Sequence, residues 1–231
     1  MIRSRKRSRH NVLLLSLLVP VFLASGSLHH PEAAPSRDAP PLILPRVVMF
    51  GDSITSGGRW SELLNSETIF NLGLKADNTE GFISRLPHVF AHKPGLCFIM
   101  GGVNDIAQGV PVERIFENYK LIVEALRDEG ITPVIQATLY TRRGTLNPRI
   151  QRLNKLLTEY AQKIQVEFLD LNDRFSAKGL LLRQFTFDGI HLRPDAYQQW
   201  GSLVLETIVQ HASRQALHEK LQARAAGTGS W

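Results

Sequence analysis

The chain has 231 residues, 43% hydrophobic and 21% charged, with 17 glycines and 12 prolines. That balance excludes a disordered, collagenous or coiled-coil chain and suits one ordinary domain with extensions. A single cysteine, Cys97, excludes an intrachain disulfide framework and a thiolate-rich zinc site. The formal net charge is +6, and Arg3, Arg5, Lys6, Arg7 and Arg9 supply five of those charges in a stretch without acids, leaving +1 for the rest. The basic character therefore belongs to the N-terminus and gives no argument for nucleic-acid binding.

The basic head is followed by an apolar run from Val12 to Ala24 and then by small residues, Ala24-Ser25-Gly26-Ser27. This is the pattern of a secretory signal over residues 1–28, and it predicts an exported protein, periplasmic or extracellular. The run is 13 residues long, short of the roughly 20 a spanning helix needs. The alternative is an uncleaved anchor, the one route to a membrane that the sequence offers. Residues 29–45 hold five prolines and read as an extended linker. His29 and His30 in that linker read as solvated rather than metal-binding.

From Arg46 onward, short apolar runs alternate with amphipathic stretches. The strand candidates are Val47–Phe50, Ile69–Leu72, Leu96–Met100, Pro133–Thr138 and Val166–Leu169, most of them continuously apolar as expected for strands covered on both faces. The helix candidates are Trp60–Leu64, Thr79–Ala91, Val112–Glu129, Pro148–Ile164 and Pro194–Arg214 or beyond. Ile115, Tyr119, Ile122 and Leu126 form one apolar stripe, and Leu153, Leu156, Tyr160 and Ile164 a second. Five alternations predict one three-layer α/β/α domain on a five-stranded parallel sheet, over residues 46–215, with a tail over 216–231 that frays or extends the last helix.

Ligands on such sheets bind beyond the carboxyl ends of the strands, and four segments fall there. Gly51-Asp52-Ser53-Ile54-Thr55 follows the first strand, Asn71-Leu72-Gly73 the second and Gly101-Gly102-Val103-Asn104-Asp105 the third. Asp188-Gly189-Ile190-His191 precedes the last helix. A hydroxyl, an amide, a glycine backbone, an imidazole and a carboxylate are the parts of an acyl-transfer site. The serine needs a base, the base an orienting carboxylate, and the oxyanion preorganised donors. Each motif alone is weak, since serine often caps a turn and aspartate often bonds loop backbone. Asp52 and Asp105 take that structural reading. His88 and His92, four apart on a helix, lack a third ligand at a recognisable spacing, and Cys97 reads as core.

These four blocks, in this order, resemble those of the SGNH/GDSL hydrolase superfamily. The likeness covers about Arg46 to Ile208. FGDSITSGGRWSELL, NLGLKADNTEGFISRL and FDGIHLRPDAYQQW are similar to the sialate O-acetylesterase-like and acetylhydrolase-like branch, although Leu72 stands where that branch often has Arg and Val103 where it often has Thr. The resemblance implies a flavodoxin-like sandwich and a serine esterase for short acyl groups, notably O-acetyl on a carbohydrate, working without a metal or organic cofactor. It makes Ser53 the nucleophile, His191 the general base and acid, and Asp188 its orienting partner. The Ser53 and Gly73 backbone N–H groups and the Asn104 amide would form the oxyanion hole. The absence of G-x-S-x-G, Thr standing at position 55, disfavours the α/β-hydrolase elbow, and phosphate and dinucleotide motifs are missing as well. Arg59, Trp60, Arg142, Arg143 and Phe187 are expected to line the mouth, with Arg142 or Arg143 meeting an anionic part of the substrate. The alternatives are a thioesterase or lysophospholipase, an acyltransferase acting on a surface glycan, and a non-catalytic glycan-binding module.

Overall fold

The computed structural model describes residues 44–227. The expected leader, residues 1–28, and nearly all of the proline-rich linker lie outside the described residues. In chain order the elements are β1 (Val47–Gly51), α1 (Ser53–Ser56), α2 (Trp60–Leu63), β2 (Ile69–Gly73), α3 (Thr79–Ala91), β3 (Leu96–Met100), α4 (Val103–Ala107), α5 (Val112–Asp128), β4 (Thr132–Gln136), α6 (Asn147–Ile164), β5 (Glu167–Leu169) and α7 (Asn172–Phe175). A two-residue hairpin, β6 (Ser176–Ala177) and β7 (Leu180–Leu181), and a 3₁₀ turn at Arg183–Phe185 lead into α8 (Pro194–Gly227).

The five main strands form one parallel sheet in the order β2-β1-β3-β4-β5. Every residue of β1 and β3 is buried, which is why these two read as unbroken apolar runs, whereas β2 and β5 at the edges keep partly exposed residues. The chain reverses its winding between β1 and β3, so the loops leaving those two strands part and open a crevice at the carboxyl edge.

The stripe on α5 is as expected, with Ile115, Tyr119, Ile122 and Leu126 all buried. On α6 the buried face is instead Ile150, Leu153, Leu157 and Ala161, rotated from the expected stripe. Asn154 causes the rotation: it turns inward to accept from the Thr138 N–H (2.9 Å) and donate to the Thr138 carbonyl (2.8 Å). Tyr160, pushed to the flank, meets Phe116 edge-on at 5.7 Å. β4 also ends earlier than Thr138, because the backbone from Thr138 onward leaves the ladder for asparagine side chains. Asn172 accepts from the Tyr140 N–H (2.8 Å) and Asn147 from the Thr141 N–H (2.9 Å). α8 continues past Arg214 as one helix, so the expected tail extends it. Among the described residues no helix is long and apolar enough to cross a membrane.

Candidate active site

At the end of β1 the chain turns sharply, and Asp52 makes the turn. Its Oδ1 accepts from the Ile54 N–H (2.9 Å), capping α1, so Ser53 becomes the first residue of a one-turn helix. That position leaves the Ser53 N–H without an intrahelical acceptor. The far end of α1 is fixed by side chains: Trp60 Nε1 donates to the Thr55 carbonyl (2.8 Å) and the Tyr197 hydroxyl to the Ile54 carbonyl (2.7 Å).

His191 arrives from the loop before α8. Thr186 shapes that loop, its hydroxyl donating to the His191 carbonyl (2.7 Å) and accepting from the Gly189 N–H (2.9 Å). His191 Nε2 lies 2.9 Å from Ser53 Oγ and Nδ1 lies 2.6 Å from Asp188 Oδ2. Asp188 Oδ1 accepts from the Ile190 and His191 N–H groups at 2.9 and 2.8 Å. Partial burial works to raise the Asp188 carboxyl. The imidazole and the two backbone donors outweigh it and bring the group down to about 2. An ionised carboxylate only accepts, so Nδ1 carries the imidazole proton and Nε2 is left to accept from the serine hydroxyl.

Asn104 lies on α4, whose N-cap Gly102 adopts φ +102°, a left-handed turn that suits glycine. Its Nδ2 donates to the Asp77 carbonyl (2.8 Å), which uses one of its two N–H bonds and fixes the amide plane. The Asp77 side chain is in turn clamped by Arg85, with Nε 2.8 Å and Nη2 2.5 Å from Oδ2. The same guanidinium donates to the carbonyls of Leu72 (2.9 Å) and Gly51 (3.3 Å), at the ends of β2 and β1.

Ser53, Asn104, Asp188 and His191 meet in a groove of about 1160 Å³. Leu63, Ile190, Leu192, Pro194 and Tyr197 give it an apolar wall, and Lys75 and Arg59 put cations at its edge, Arg59 being paired with Glu62 at 2.5 Å. Phe187, 64% exposed, stands on the rim with its ring stacked on His191 at 5.9 Å.

Three expectations need correction. Gly73 does not line the groove, and its N–H is held by Asn71 Oδ1 at 2.9 Å. Glycine is required there for packing: a Cβ would sit 2.2 Å from the Ser56 nitrogen. The backbone that reaches the groove from this loop is Ala76, at φ +60°, whose N–H makes no hydrogen bond among the described residues. Trp60 is 1% exposed and cannot meet substrate, being packed edge-on to Trp200 at 4.7 Å. Arg142 lines a separate cleft behind Asp188, and Arg143 lines neither that cleft nor the groove.

Asp52 and Asp105 are both buried. Burial raises each carboxyl, Asp52 to about 7. Asp105 accepts from the Thr79 N–H (3.1 Å) and hydroxyl (2.6 Å) at the start of α3, while Asp52 Oδ2 has no partner among the described residues. Burial likewise pushes the Cys97 thiol up, leaving it an uncharged core group. The His92 ring packs against Phe70 at 4.4 Å.

Residues 49–199 match the model of the GDSL-like lipase/acylhydrolase family. The N-acylneuraminate cytidylyltransferase of Streptococcus agalactiae serotype V is 31% identical over 116 residues, 49% of this chain and 28% of that protein. The chain spans between 28% and 35% of the length of the cytidylyltransferases it matches. The isoamyl acetate-hydrolyzing esterase 1 homolog of Bos taurus is 28% identical over 192 residues, 67% of this chain and 77% of that one. A GDSL-like lipase from Bacteroides thetaiotaomicron shares the fold, with a TM-score of 0.67 and 22% identity over 72% of this chain and 88% of that one.

Proposed function

The chain belongs to the GDSL-like lipase/acylhydrolase family, an ester-hydrolysing family, and from that premise we propose that it is a serine esterase that removes short acyl groups through an acyl-enzyme on Ser53. The observation that carries the reading is the unbroken hydrogen-bond chain from Ser53 through His191 to the ionised Asp188.

In the first half-reaction Ser53 Oγ bonds to the ester carbonyl carbon as its proton passes to His191 Nε2. The carbonyl oxygen becomes an oxyanion held by the Ser53 N–H, the free N–H bond of the Asn104 amide and the Ala76 N–H, which takes the place first given to Gly73. Collapse expels the alcohol, which takes the proton from Nε2. Water then attacks the acyl-enzyme, giving its proton to Nε2, and the second collapse returns that proton to Ser53 Oγ with release of the acid. Asp188 stays ionised throughout and stabilises the imidazolium.

The preferred substrate class is an O-acetyl ester of a carbohydrate. Its support is the sequence resemblance, one relative named for hydrolysis of an acetate ester and another named for the sugar N-acylneuraminate. Export rests on the basic head and apolar run of residues 1–28. The apolar wall of the groove favours a second reading, an acylhydrolase for longer chains of the lysophospholipase or thioesterase kind.

Hydrolysis of 4-nitrophenyl acetate, butyrate and octanoate by the full chain, with a serine-directed phosphonate as label, tests this. Turnover that Ser53→Ala lowers at least about 10³-fold, with the label on Ser53, is expected. Turnover surviving in Ser53→Ala, or a label elsewhere, overturns the mechanism. A rate rising from acetate to octanoate overturns the acetyl preference.

A further inference from the structure

Behind the wall formed by Phe187 and Asp188 lies a second cleft, of about 530 Å³, into which Arg142, Arg183 and Arg193 all face. Phe187 and Asp188 line both this cleft and the catalytic groove, so the two lie back to back. We propose that the three-arginine cleft is an anion site that takes an acidic group, a carboxylate or phosphate, carried by the same molecule whose ester enters the Ser53 groove. The substrate would straddle Phe187. The proposal rests on the esterase reading above.

Charge is the first argument. Among the described residues none of the three arginines forms an ion pair. The one acid on the cleft wall is Asp188, and both its oxygens are committed to His191 and to the backbone of residues 190 and 191. With the Asp188 charge counted, the cleft keeps an excess of two positive charges, which a bound anion would offset.

Preorganisation is the second. Arg142 Nη1 donates to the Leu181 carbonyl (3.2 Å), and Arg142 is half-buried where its stem packs over Gly189. Arg193 Nε donates to the Thr186 carbonyl (2.9 Å). Each tether uses one of five guanidinium donors, so the side chains are held while the other donors remain for a ligand, and the planar fork suits carboxylate and phosphate oxygens. Arg183, whose side chain makes no hydrogen bond among the described residues, closes the third side.

The third argument is the rim. Phe187 is the one large apolar side chain exposed between the two cavities, and a flat ring there offers a stacking surface to the apolar face of a sugar. A sugar acid bearing an acyl ester has the ester, the ring and the acid that this succession of groove, ring and cleft accepts.

The test compares kcat/KM of the full chain for O-acetylated methyl glucuronide and O-acetylated methyl glucoside, with 4-nitrophenyl acetate as the reference ester. The wild type is expected to prefer the acidic sugar by about tenfold, the scale of one or two charge-assisted hydrogen bonds. Arg183→Gln should lower that preference about fivefold and Arg183→Glu should abolish it, in both cases through KM. A preference that is absent in the wild type, or unmoved by Arg183→Glu, overturns the proposal. If 4-nitrophenyl acetate and both sugars resist hydrolysis, the esterase reading fails by itself. The anion site is then judged by titrating methyl glucuronide into Ser53→Ala: binding lost with Arg183→Glu supports it, and equal binding overturns it. Inorganic phosphate separates the two sources of anion. Competition against the acidic sugar alone supports a substrate-borne acid, whereas phosphate binding by a protein without sugar preference assigns the cleft to a free anion and overturns the straddling substrate.

Discussion

Asp188 and Asp52 show how three residues' separation from a partner, or one residue's burial, decides what a carboxylate does. Asp188 sits on the surface side of the loop, takes three donors and is ionised at any pH above about 4, so its negative charge is always present opposite His191. Asp188→Asn keeps the shape but offers an amide that can present either an oxygen or a hydrogen to Nδ1, removing the charge that selects the tautomer. A fall of about 10²- to 10⁴-fold in kcat with little change in KM is expected from steady-state kinetics. In the proposed mechanism Asn104 serves the oxyanion rather than the proton relay, and Asn104→Ala should cost about 10²- to 10³-fold in kcat. Gly73 and Ala76 separate when stability and kcat are both measured. Gly73→Ala forces a Cβ against the Ser56 backbone and should lower the urea midpoint, whereas Ala76→Gly keeps the N–H, suits the positive φ, and should leave kcat within about threefold. Loss of activity in Ala76→Gly without loss of stability would count against a backbone role for residue 76.

At the scale of elements, the site is assembled by the ends of β1, β2 and β3, and Arg85 on α3 is the clasp between them. One guanidinium binds the carbonyls of Gly51 and Leu72 and the Asp77 carboxylate, and the Asp77 carbonyl then fixes Asn104. Arg85→Met removes the clasp and strands a largely buried carboxylate. It should cost ~2–4 kcal/mol in urea unfolding, and Arg85→Lys should recover only part of it, because an ammonium cannot serve three acceptors in a fork. The strand pattern was legible in the sequence because β1 and β3 are buried on both faces, and the Ser53, Asn104 and Asp188–His191 blocks were legible because each sits at a strand end or helix start. What was not legible depends on contacts distant in sequence. Asn154 turns inward only because Thr138 needs its amide, which rotates the α6 stripe. Trp60 looked exposed beside Arg59 because nothing local announces its partners Tyr197 and Trp200. Gly73 looked like an oxyanion donor because a glycine required by packing against Ser56 carries the same letter as one required by a ligand. α8 adds a separate case: its contacts inward are Ala196, Tyr197, Trp200, Val204 and Ile208, while residues 212–222 are exposed. A chain ending at Gln215 should therefore keep its esterase rate and lose less than ~1 kcal/mol.

For the whole molecule, the parallel sheet reverses its winding between β1 and β3, and that reversal is what places a serine and an asparagine on opposite lips of one crevice. It also buries the carboxyl at the foot of the crevice. Asp52 is completely enclosed, with Oδ2 unpartnered among the described residues, and burial lifts it from 3.8 to about 7. A carboxyl raised in the folded state keeps its proton there while the unfolded chain has already lost it. Stability therefore falls as pH rises from about 4 to about 7 and is level above that, the reverse of the Asp188 contribution, which is present above about 4 and lost as pH falls through 2. Asp105, also raised by burial, acts in the same direction as Asp52. The stability maximum should thus lie on the acid side of neutrality. Asp52→Asn retains the oxygen that caps α1 and removes the buried charge, so the variant and wild type should unfold alike at pH 4. The variant should then gain with rising pH, by at most ~4 kcal/mol, reaching its full advantage above pH 7. Urea titrations at pH 4, 6 and 8 measure this directly. A wild type as stable as Asp52→Asn at pH 8 would mean that the carboxylate finds a donor there, with the unpartnered Thr55 hydroxyl of the same short helix the first to look for.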